Sequence, residues 1–209
     1  GSVRPRSASL QRQPASAERK LVLVAVAQGE AEAVKLLESH HIETGAFVHI
    51  HPASRWSFKC WSEARNAALI DTLIQNGERV VLTSAPDVQE MAFVERILSH
   101  CRTEPVNLAG KLTLKGLAAL TARAKLFIGV DSAPMHMACA METPVVALFG
   151  PSGEREWGPW SSTSRVVASA VHPCRPCGID GCGGGKISDC LVTLPERQVL
   201  RAVRDLLGQ

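Results

Sequence analysis

The sequence predicts a doubly wound α/β domain, in which a parallel sheet carries helices on both faces. Two continuous apolar runs, Leu126–Val130 and Val145–Phe149, are separated by only a short helix-like segment. Such runs are typical of parallel strands that are buried on both sides. Strand-like and helix-like segments alternate along the rest of the chain, and no internal repeat is visible. The 209 residues are enough for one sizeable core and too few for two ordinary domains.

The order of elements follows from apolar periodicity and from helix start and stop signals. Residues 1–19 are rich in Arg, Ser, Gln and Pro and predict a disordered leader or linker, which leaves residues 20–209 as the folded domain. The predicted strands cover residues 21–27, 46–50, 79–84, 106–108, 126–130, 145–149 and 165–168. The predicted helices cover residues 30–40, 62–76, 87–101 and 113–124, with a short helix after Asp131 and a closing helix from Pro195 to Gly208.

Local signals support three of these helices. Ser62 is a plausible N-cap, and Asp87 followed by Glu90 has the spacing of a capping box. The third helix, over residues 113–124, carries Leu114, Leu117 and Leu120 on one side.

The charge distribution disfavours a nucleic-acid partner. The chain has a formal charge of +3, but the first twenty residues alone carry +4. The remainder therefore sums to −1 and offers no basic face for a phosphate backbone.

The chain contains no apolar stretch of the length needed to span a bilayer, and its first residues do not resemble a signal peptide. We therefore expect no transmembrane segment in it and a cytoplasmic protein. The Gly-Ser pair at positions 1 and 2 is typical of a cleavage scar, so the natural chain can begin earlier.

Polar or glycine-rich segments follow four of the predicted strands, at residues 51–59, 85–87, 131–136 and 150–156. In a parallel sheet these segments share the carboxyl edge, where helix N-termini bind anions. Arg55 and Lys59 can neutralise phosphate oxygens, Ser54 and Ser132 can donate to them, and Asp87 can accept from ribose hydroxyls. The combination predicts a nucleoside diphosphate site.

Each of these residues alone also has a purely structural interpretation. Asp87 and Asp131 can be helix caps, and Lys59 can be a solvated surface charge. His136 can be an interior histidine, and the tryptophans at positions 157 and 160 can simply cover the core.

The spacing Cys174-x2-Cys177-x4-Cys182-x7-Cys190 lies in a loop with five glycines. Four thiolates can close a tetrahedral zinc site that orders such a loop, although the spacing is not that of a familiar zinc finger. Free thiols or a disulfide are the alternatives. No catalytic role is expected, and the loop is not expected to touch the nucleotide site.

Four motifs, in this order, resemble the ADP-heptose:lipopolysaccharide heptosyltransferases: HPASRWSFKCW at 51–61, VNLAGKLTL at 106–114, FIGVDSAPMH at 127–136, and VVALFGP at 145–151 with WGP at 157–159. The resemblance covers roughly residues 46–205, and the cysteine-rich tail is most similar to the heptosyltransferase III branch. It implies the C-terminal, Rossmann-like half of a GT-B glycosyltransferase, without the acceptor-binding N-terminal domain.

The resemblance also implies roles for individual residues. Ser54 and Lys59 would hold the diphosphate together with the backbone at Ser132 and Ala133, and Lys59 would stabilise the leaving group. Asp87 would bind the ribose, Leu112 would lie against the adenine, and Asp131 and His136 would face the heptose and the leaving phosphate.

By the same resemblance, transfer inverts the anomeric centre without a metal and uses a general base from the missing domain, so no catalytic base is assigned in this chain. The donor would be ADP-heptose, and the acceptor, the lipopolysaccharide core, would reach the enzyme through the N-terminal domain at the cytoplasmic face of the inner membrane. Two positions depart from the family pattern: Ala53 stands where relatives often have Ser or Thr, and Ala133 where they often have Gly. Two other functions stay open, a GT-B transferase or epimerase for another nucleotide sugar and a nucleotide-binding module without turnover.

Overall fold

A computed structural model describes Leu23 and residues 27–208 of the chain. The predicted leader at residues 1–19 lies outside this part. The predicted strand at 21–27 also lies outside it, except for Leu23 and Ala27. Ala27 is helical, because it opens the first helix instead of ending a strand.

Six parallel strands form one sheet in the order β3-β2-β1-β4-β5-β6. They are β1 (Phe47–His51), β2 (Arg79–Leu82), β3 (Val106–Asn107), β4 (Leu126–Val130), β5 (Val145–Phe149) and β6 (Ser164–Ala168). Every residue of β4 and β5 is buried, as the continuous apolar runs predicted, and so is every residue of β1, including its two histidines. This confirms the doubly wound α/β fold.

Eight α-helices connect or flank the described strands. They are α1 (Ala27–Ser39), α2 (Glu63–Gln75), α3 (Val88–His100), α4 (Leu114–Ala122), α5 (Ala133–Ala140), α6 (Glu154–Trp157), α7 (Asp189–Val192) and α8 (Glu196–Leu207). Helices α1, α4 and α5 pack side by side, and α2 packs against both α3 and α8. Among the described helices, none is both long and apolar enough to cross a bilayer.

The predicted caps are present, with one difference. Ser62 caps α2, and Asp87 Oδ1 accepts from the Gln89 and Glu90 amides at 2.9 and 3.1 Å. Glu90, however, does not close a capping box, because its carboxylate accepts from the Ala85 N–H at 3.1 Å instead. The side chain of Glu90 is thereby drawn toward the loop after β2.

The three leucines on one side of helix α4 differ in exposure. Leu117 and Leu120 are buried, but Leu114 is 73% exposed. Leu114 is the first residue of a helix that begins at the carboxyl edge, so its side chain lies at the mouth of the cleft described below.

The strand order determines where a crevice opens at the carboxyl edge of the sheet. Chain connections run outward in opposite directions from β1 and β4, which are neighbours in the sheet. In open α/β sheets the loops on either side of such a switch point diverge and leave a crevice at the carboxyl edge. The loop after β1 and the turn after β4 both open into that crevice.

Candidate nucleotide-binding cleft

A cleft of about 590 Å³ lies at this switch point. Segments that follow five strands line it, and they include three of the four polar segments singled out in the sequence. The fourth, at residues 150–156, does not line the cleft, although Trp157 directly after it does. Its lining includes seven of the eight residues implied by the resemblance: Ser54, Lys59, Leu112, Asp131, Ser132, Ala133 and His136.

The centre of the cleft is an ion pair between the first and fourth strands. Lys59 ends a short 3-10 turn, Ser57–Lys59, and its Nζ lies 2.6 Å from Asp131 Oδ2. The Asp131 side chain is 7% exposed and that of Lys59 is 24% exposed. Lys59 is therefore a positioned cation and not a solvated surface charge. Its hydrogen bond holds the loop after β1 against the end of β4.

Helix α5 begins beside this pair. Ser132 is its N-cap residue, but the Ser132 hydroxyl donates to the Val130 carbonyl at 3.2 Å and does not cap the helix. Pro134 has no N–H, and the Met135 N–H donates to the Ser132 carbonyl at 3.1 Å. The Ala133 N–H belongs to this first turn, at the positive end of the helix dipole, and Ala133 lines the cleft.

His136 lies one turn further along α5 and is half-buried at the cleft wall. Burial lowers its pKa, Asp131 opposes this shift and Lys59 adds to it. A neutral imidazole at this place can accept or donate a hydrogen bond without adding charge.

An apolar wall faces these polar groups. It is built from Leu112, Leu114 and Leu117, all of which line the cleft. Gly110 directs the chain into this wall with a positive φ of 71°, and its N–H donates to the Ser84 carbonyl at 3.2 Å.

Trp157 also lines the cleft and is 62% exposed. Trp160 is 40% exposed. Both side chains therefore lie at the surface of the fold, and Trp157 forms part of the cleft wall.

Asp87 is the one implied residue that does not line this cleft. It lies instead on a neighbouring groove of about 790 Å³, with one carboxylate oxygen engaged by the N-terminal amides of α3. Its role as a ribose ligand stays a prediction, and the structure offers another carboxylate for that role.

Sequence reasoning assigned no ligand to Glu90 or to His51, and both line the cleft. Burial raises the pKa of Glu90, the Ala85 amide opposes the shift and Asp87 adds to it. Burial also lowers the pKa of His51 to about 4. Their position in the sequence was the available signal: His51 ends β1, and Glu90 lies in the first turn of the helix that follows β2.

The cysteine-rich loop lies closer to the cleft than expected. The Ser188 hydroxyl donates to the Phe58 carbonyl at 2.7 Å, and the Ser57 hydroxyl donates to the Lys186 carbonyl at 3.2 Å. Both bonds hold the 3-10 turn that ends at Lys59. No residue from Cys174 to Cys190 lines the cleft itself, but the loop packs behind the turn that carries Lys59.

All four cysteines of the loop line one small cavity of about 10 Å³. Cys174, Cys177 and Cys182 are exposed, whereas Cys190 is buried. None of the four is in a disulfide. Within Leu23 and residues 27–208, no group of three or more His, Cys, Asp or Glu side chains is arranged to hold a metal ion.

The chemistry of the cleft is that of anion and nucleotide binding. A lysine, a helix N-terminus and hydroxyl groups of serine suit phosphate oxygens, whereas the leucine wall suits the face of a base.

A scan of the chain against protein families decides its membership. The model of glycosyltransferase family 9 (heptosyltransferase) matches residues 13–187. The chain belongs to this family. It is 50% identical over 117 residues to lipopolysaccharide heptosyltransferase 3 of Escherichia coli, which covers 56% of the chain and 34% of that protein.

Solved structures of family members have the same fold. The family 9 glycosyltransferase of Veillonella parvula has a TM-score of 0.76 at 25% identity, over 90% of this chain and 54% of that one. E. coli ADP-heptose lps heptosyltransferase II has a TM-score of 0.72 at 26% identity, over 91% and 54%. The chain thus spans between a third and about half of the length of these relatives.

Proposed function

We propose that this chain is the donor-binding half of an inverting glycosyltransferase that moves heptose from ADP-heptose to the lipopolysaccharide inner core. The observation that carries the proposal is the Lys59–Asp131 ion pair beside the first turn of α5, at the switch point of the sheet. Family membership and the 50% identity to a heptosyltransferase 3 support the choice of sugar and acceptor. The half that is proposed to bind the acceptor lies outside this sequence.

The diphosphate is assigned to the polar side of the cleft. Lys59 supplies a positive charge, and the Ala133 N–H and the hydroxyl of Ser54 supply hydrogen bonds. Ser54 Oγ already accepts from the Trp56 N–H at 3.3 Å, so its proton is available to a ligand. Ala53 and Ala133 contribute no side-chain donor, which leaves these backbone and lysine contacts as the main ones.

The nucleoside is assigned to the apolar side. Leu112, Leu114 and Leu117 would pack against the base, and Glu90 would accept from the ribose. Glu90 is preferred to Asp87 for this role because Glu90 lines the cleft, whereas Asp87 caps α3 and faces the neighbouring groove.

The chemical role of this half follows from where charge develops. As the acceptor hydroxyl attacks the anomeric carbon, the bond to the β-phosphate breaks and its electrons stay on the departing ADP. Lys59 and the N-terminus of α5 would stabilise that growing charge, because both are held in place before the reaction begins. Asp131 would orient Lys59, and Asp131 and His136 would face the heptose. The proton of the acceptor is assigned to a base in the N-terminal half.

For the complete enzyme we propose a cytoplasmic location at the inner-membrane face, where a lipopolysaccharide acceptor would be within reach, and catalysis without a metal cofactor. For the cysteine-rich loop we propose a structural zinc ion held by Cys174, Cys177, Cys182 and Cys190. The shared cavity supports this, as does the Asp189 N–H, which points at Cys182 Sγ over 3.4 Å. The thiolates would have to close around the ion from their present positions.

Competition between nucleotides tests the function. The isolated chain should bind ADP weakly, since the closing domain is absent, and should prefer ADP to UDP and GDP, because the wrong base leaves polar groups unpaired at the leucine wall. Calorimetric titration of each nucleotide measures this. A preference for UDP would contradict the assignment to ADP-heptose. Heptose transfer after the chain is joined to an N-terminal half would separate an enzyme from a binding module.

A further inference from the structure

A series of buried polar side chains runs from helix α4 along one face of the sheet to the cleft. It consists of Thr121, His49, Thr83 and His51, which are 1%, 0%, 0% and 3% exposed. His49 and His51 are two residues apart on β1, so they point to the same face of the sheet. Thr83, just after the neighbouring strand β2, lies between their rings.

Three contacts link these side chains. Thr121 Oγ1 lies 3.1 Å from His49 Nδ1, Thr83 Oγ1 lies 2.7 Å from His49 Nε2, and Thr83 Oγ1 lies 2.9 Å from His51 Nδ1. Each hydroxyl has a single proton, and each neutral imidazole has one N–H and one lone pair. The direction of one bond therefore sets the direction of all the others.

The carbonyl of Leu117 sets that direction. It lies 2.7 Å from Thr121 Oγ1, and a carbonyl can only accept. Two oxygens this close need a proton between them, so the Thr121 hydroxyl donates to Leu117. His49 Nδ1 must then carry a proton and donate to Thr121.

The directions of the remaining hydrogen bonds follow from this. Since His49 Nδ1 is protonated, His49 Nε2 is a lone pair and accepts the Thr83 proton. Thr83 Oγ1 then accepts from His51 Nδ1–H. His51 is left with an unprotonated Nε2, and both imidazoles are neutral. Burial lowers the pKa of both histidines, which agrees with this assignment.

The free lone pair of His51 opens into the cleft. Within the described residues no fully buried side-chain nitrogen or oxygen lacks a partner, and His51 Nε2 has no hydrogen bond of its own, so it reaches the cleft surface. The Glu90 carboxylate faces this nitrogen: its Oε2 lies 4.0 Å from His51 Nε2 and already accepts from the Ala85 N–H. Two acceptors with no donor between them face the same space.

We propose that His51 Nε2 and the Glu90 carboxylate together accept the two neighbouring hydroxyls of a ribose cis-diol, and that the buried chain from Thr121 fixes His51 in the tautomer this requires. The proposal rests on the proposed nucleotide site. His51 is the ligand-binding residue, and Thr121, His49 and Thr83 are positioning residues. The diol fits because it supplies two protons to two adjacent acceptors, and because His51 directly precedes the loop assigned to the diphosphate.

The tautomer can be measured without any ligand. Long-range ¹H–¹⁵N NMR of the chain labelled in its histidines distinguishes Nδ1–H from Nε2–H imidazoles. We expect His49 and His51 both to be neutral and protonated at Nδ1 near neutral pH. An Nε2–H tautomer at His51 in the wild-type chain would overturn the proposal, whatever the chain binds.

Substitution at Thr121, remote from the cleft, tests the positioning. Thr121→Val removes the donor to Leu117 and should shift His51 toward the Nε2–H form, whereas Thr121→Ser keeps the hydroxyl and should retain the wild-type tautomer. Thr72→Val is the matched control. The Thr72 hydroxyl donates to the Ala68 carbonyl at 2.8 Å, with the same four-residue spacing as Thr121 to Leu117, and this bond involves no histidine. An unchanged His51 tautomer in folded Thr121→Val would contradict the positioning role of Thr121, His49 and Thr83. Should that variant not fold, the wild-type and Thr121→Ser tautomers decide the question.

Deoxynucleotides test the ligand. Wild type should bind 2′-deoxy-ADP and 3′-deoxy-ADP each about fivefold more weakly than ADP, the effect of one lost hydrogen bond. His51→Phe should abolish one of these two differences and keep the other. Inosine diphosphate, which lacks the adenine amine, is the control. If His51→Phe removes a preference for ADP over inosine diphosphate and leaves the deoxynucleotide differences intact, then His51 and Glu90 bind the amine. The diol assignment then fails. ADP binding without discrimination against either deoxynucleotide contradicts the inference alone, whereas no binding of any nucleotide contradicts the proposed function as well.

Discussion

Lys59 Nζ lies 2.6 Å from Asp131 Oδ2, although 72 residues separate them in the chain. The bond joins the loop after β1 to the end of β4, the two strands that flank the switch point. Because Asp131 pairs with Lys59, the lysine side chain is held in the cleft before any phosphate binds. An incoming phosphate would find this charge oriented and would share it with Asp131.

The first prediction concerns this lysine. Lys59→Ala should weaken ADP binding by about 1.5–3 kcal/mol, the range for a lost charge-assisted hydrogen bond, which is roughly tenfold to a hundredfold. Calorimetry on the two proteins measures it. Lys125→Ala is a matched control, since Lys125 is also ion-paired, with Glu78, and is similarly exposed, but does not line the cleft. Equal affinities of wild type and Lys59→Ala would refute the assignment of the phosphates.

The second prediction concerns the leucine wall. Leu114→Ala should lower ADP affinity several-fold with little change in the free energy of unfolding, because Leu114 is 73% exposed and therefore contributes little to the core. Leu120→Ala should do the opposite, since Leu120 is fully buried in the same helix and truncation there costs about 2–5 kcal/mol. Titration with ADP and denaturant unfolding of both variants measure the two quantities. An unchanged affinity of Leu114→Ala would place the base elsewhere.

The third prediction concerns the contact between the cysteine-rich loop and the Lys59 turn. Ser188→Ala removes the 2.7 Å bond to the Phe58 carbonyl, one residue before Lys59. We expect weaker ADP binding, by a factor of about three to ten, since the turn would no longer be held in place. Combining Ser188→Ala with Lys59→Ala should add little further loss, because both act through the same amine. Additive losses would show that Ser188 affects ADP binding independently of Lys59.

The fourth prediction concerns the proposed zinc ion. Protein purified without chelator should contain about one zinc per chain, and chelation should lower the melting temperature, because metal binding and ordering of the glycine-rich loop would be coupled. The Cys177→Ser, Cys182→Ser double variant should lose the metal, whereas Cys101→Ser, outside the loop, should keep it. Since this loop packs behind Lys59, metal loss should also weaken ADP binding. Four freely titrating thiols in metal-free protein that melts at the same temperature with and without chelator would refute the site.

The fifth prediction concerns pH. Burial depresses the pKa of His51 to about 4 in the folded chain, against an ordinary value near 6.5. Between these values the unfolded chain binds the proton and the folded chain does not, so the free energy of unfolding should rise with pH across this window and fall as pH drops from 6.5 to 4. The loss attributable to His51 is about 3 kcal/mol, and His49 acts in the same direction.

Unfolding titrations at several pH values measure this slope. His51→Gln should flatten it, whereas His100→Gln, at an exposed position on α3, should not. The carboxyl of Asp71 is a separate source of acid sensitivity, since its desolvation is outweighed by hydrogen bonds from Thr103 and Arg102 that lower its pKa below 3.8. Its contribution is lost only at more acidic pH. The same slope in wild type and His51→Gln would contradict the assignment of a neutral, buried His51.

Several features were predictable from local signals in the chain. The parallel strands β4 and β5 were predicted because strands covered on both faces are typically continuously apolar. A strand was also predicted at the place of β1, although β1 carries two histidines. The start of α2 was predicted because Ser62 is a good cap, and the end of α8 because Gly208 can adopt the left-handed conformation that it has here, with φ of 70°. The meeting of Lys59, Asp131 and His136 was also predictable, since parallel topology brings the residues that follow the strands to one edge.

Other features depended on which surfaces meet in three dimensions. Asp87 and Glu90 are three residues apart in one helical turn, and only the packing of α3 decides that Glu90 enters the cleft while Asp87 caps the helix. Leu114 has the spacing of a core residue, and only the position of α4 at the sheet edge exposes it. The loop of Cys174 to Cys190 follows the last strand, yet it folds back on the turn of Lys59. By itself the sequence determined the strands, the helix ends and the sheet edge that carries the functional residues, because these depend on near neighbours along the chain. The tertiary structure alone decided which side chains share the cleft and which nitrogen of His51 faces it. These features depend on contacts between residues that are far apart in sequence.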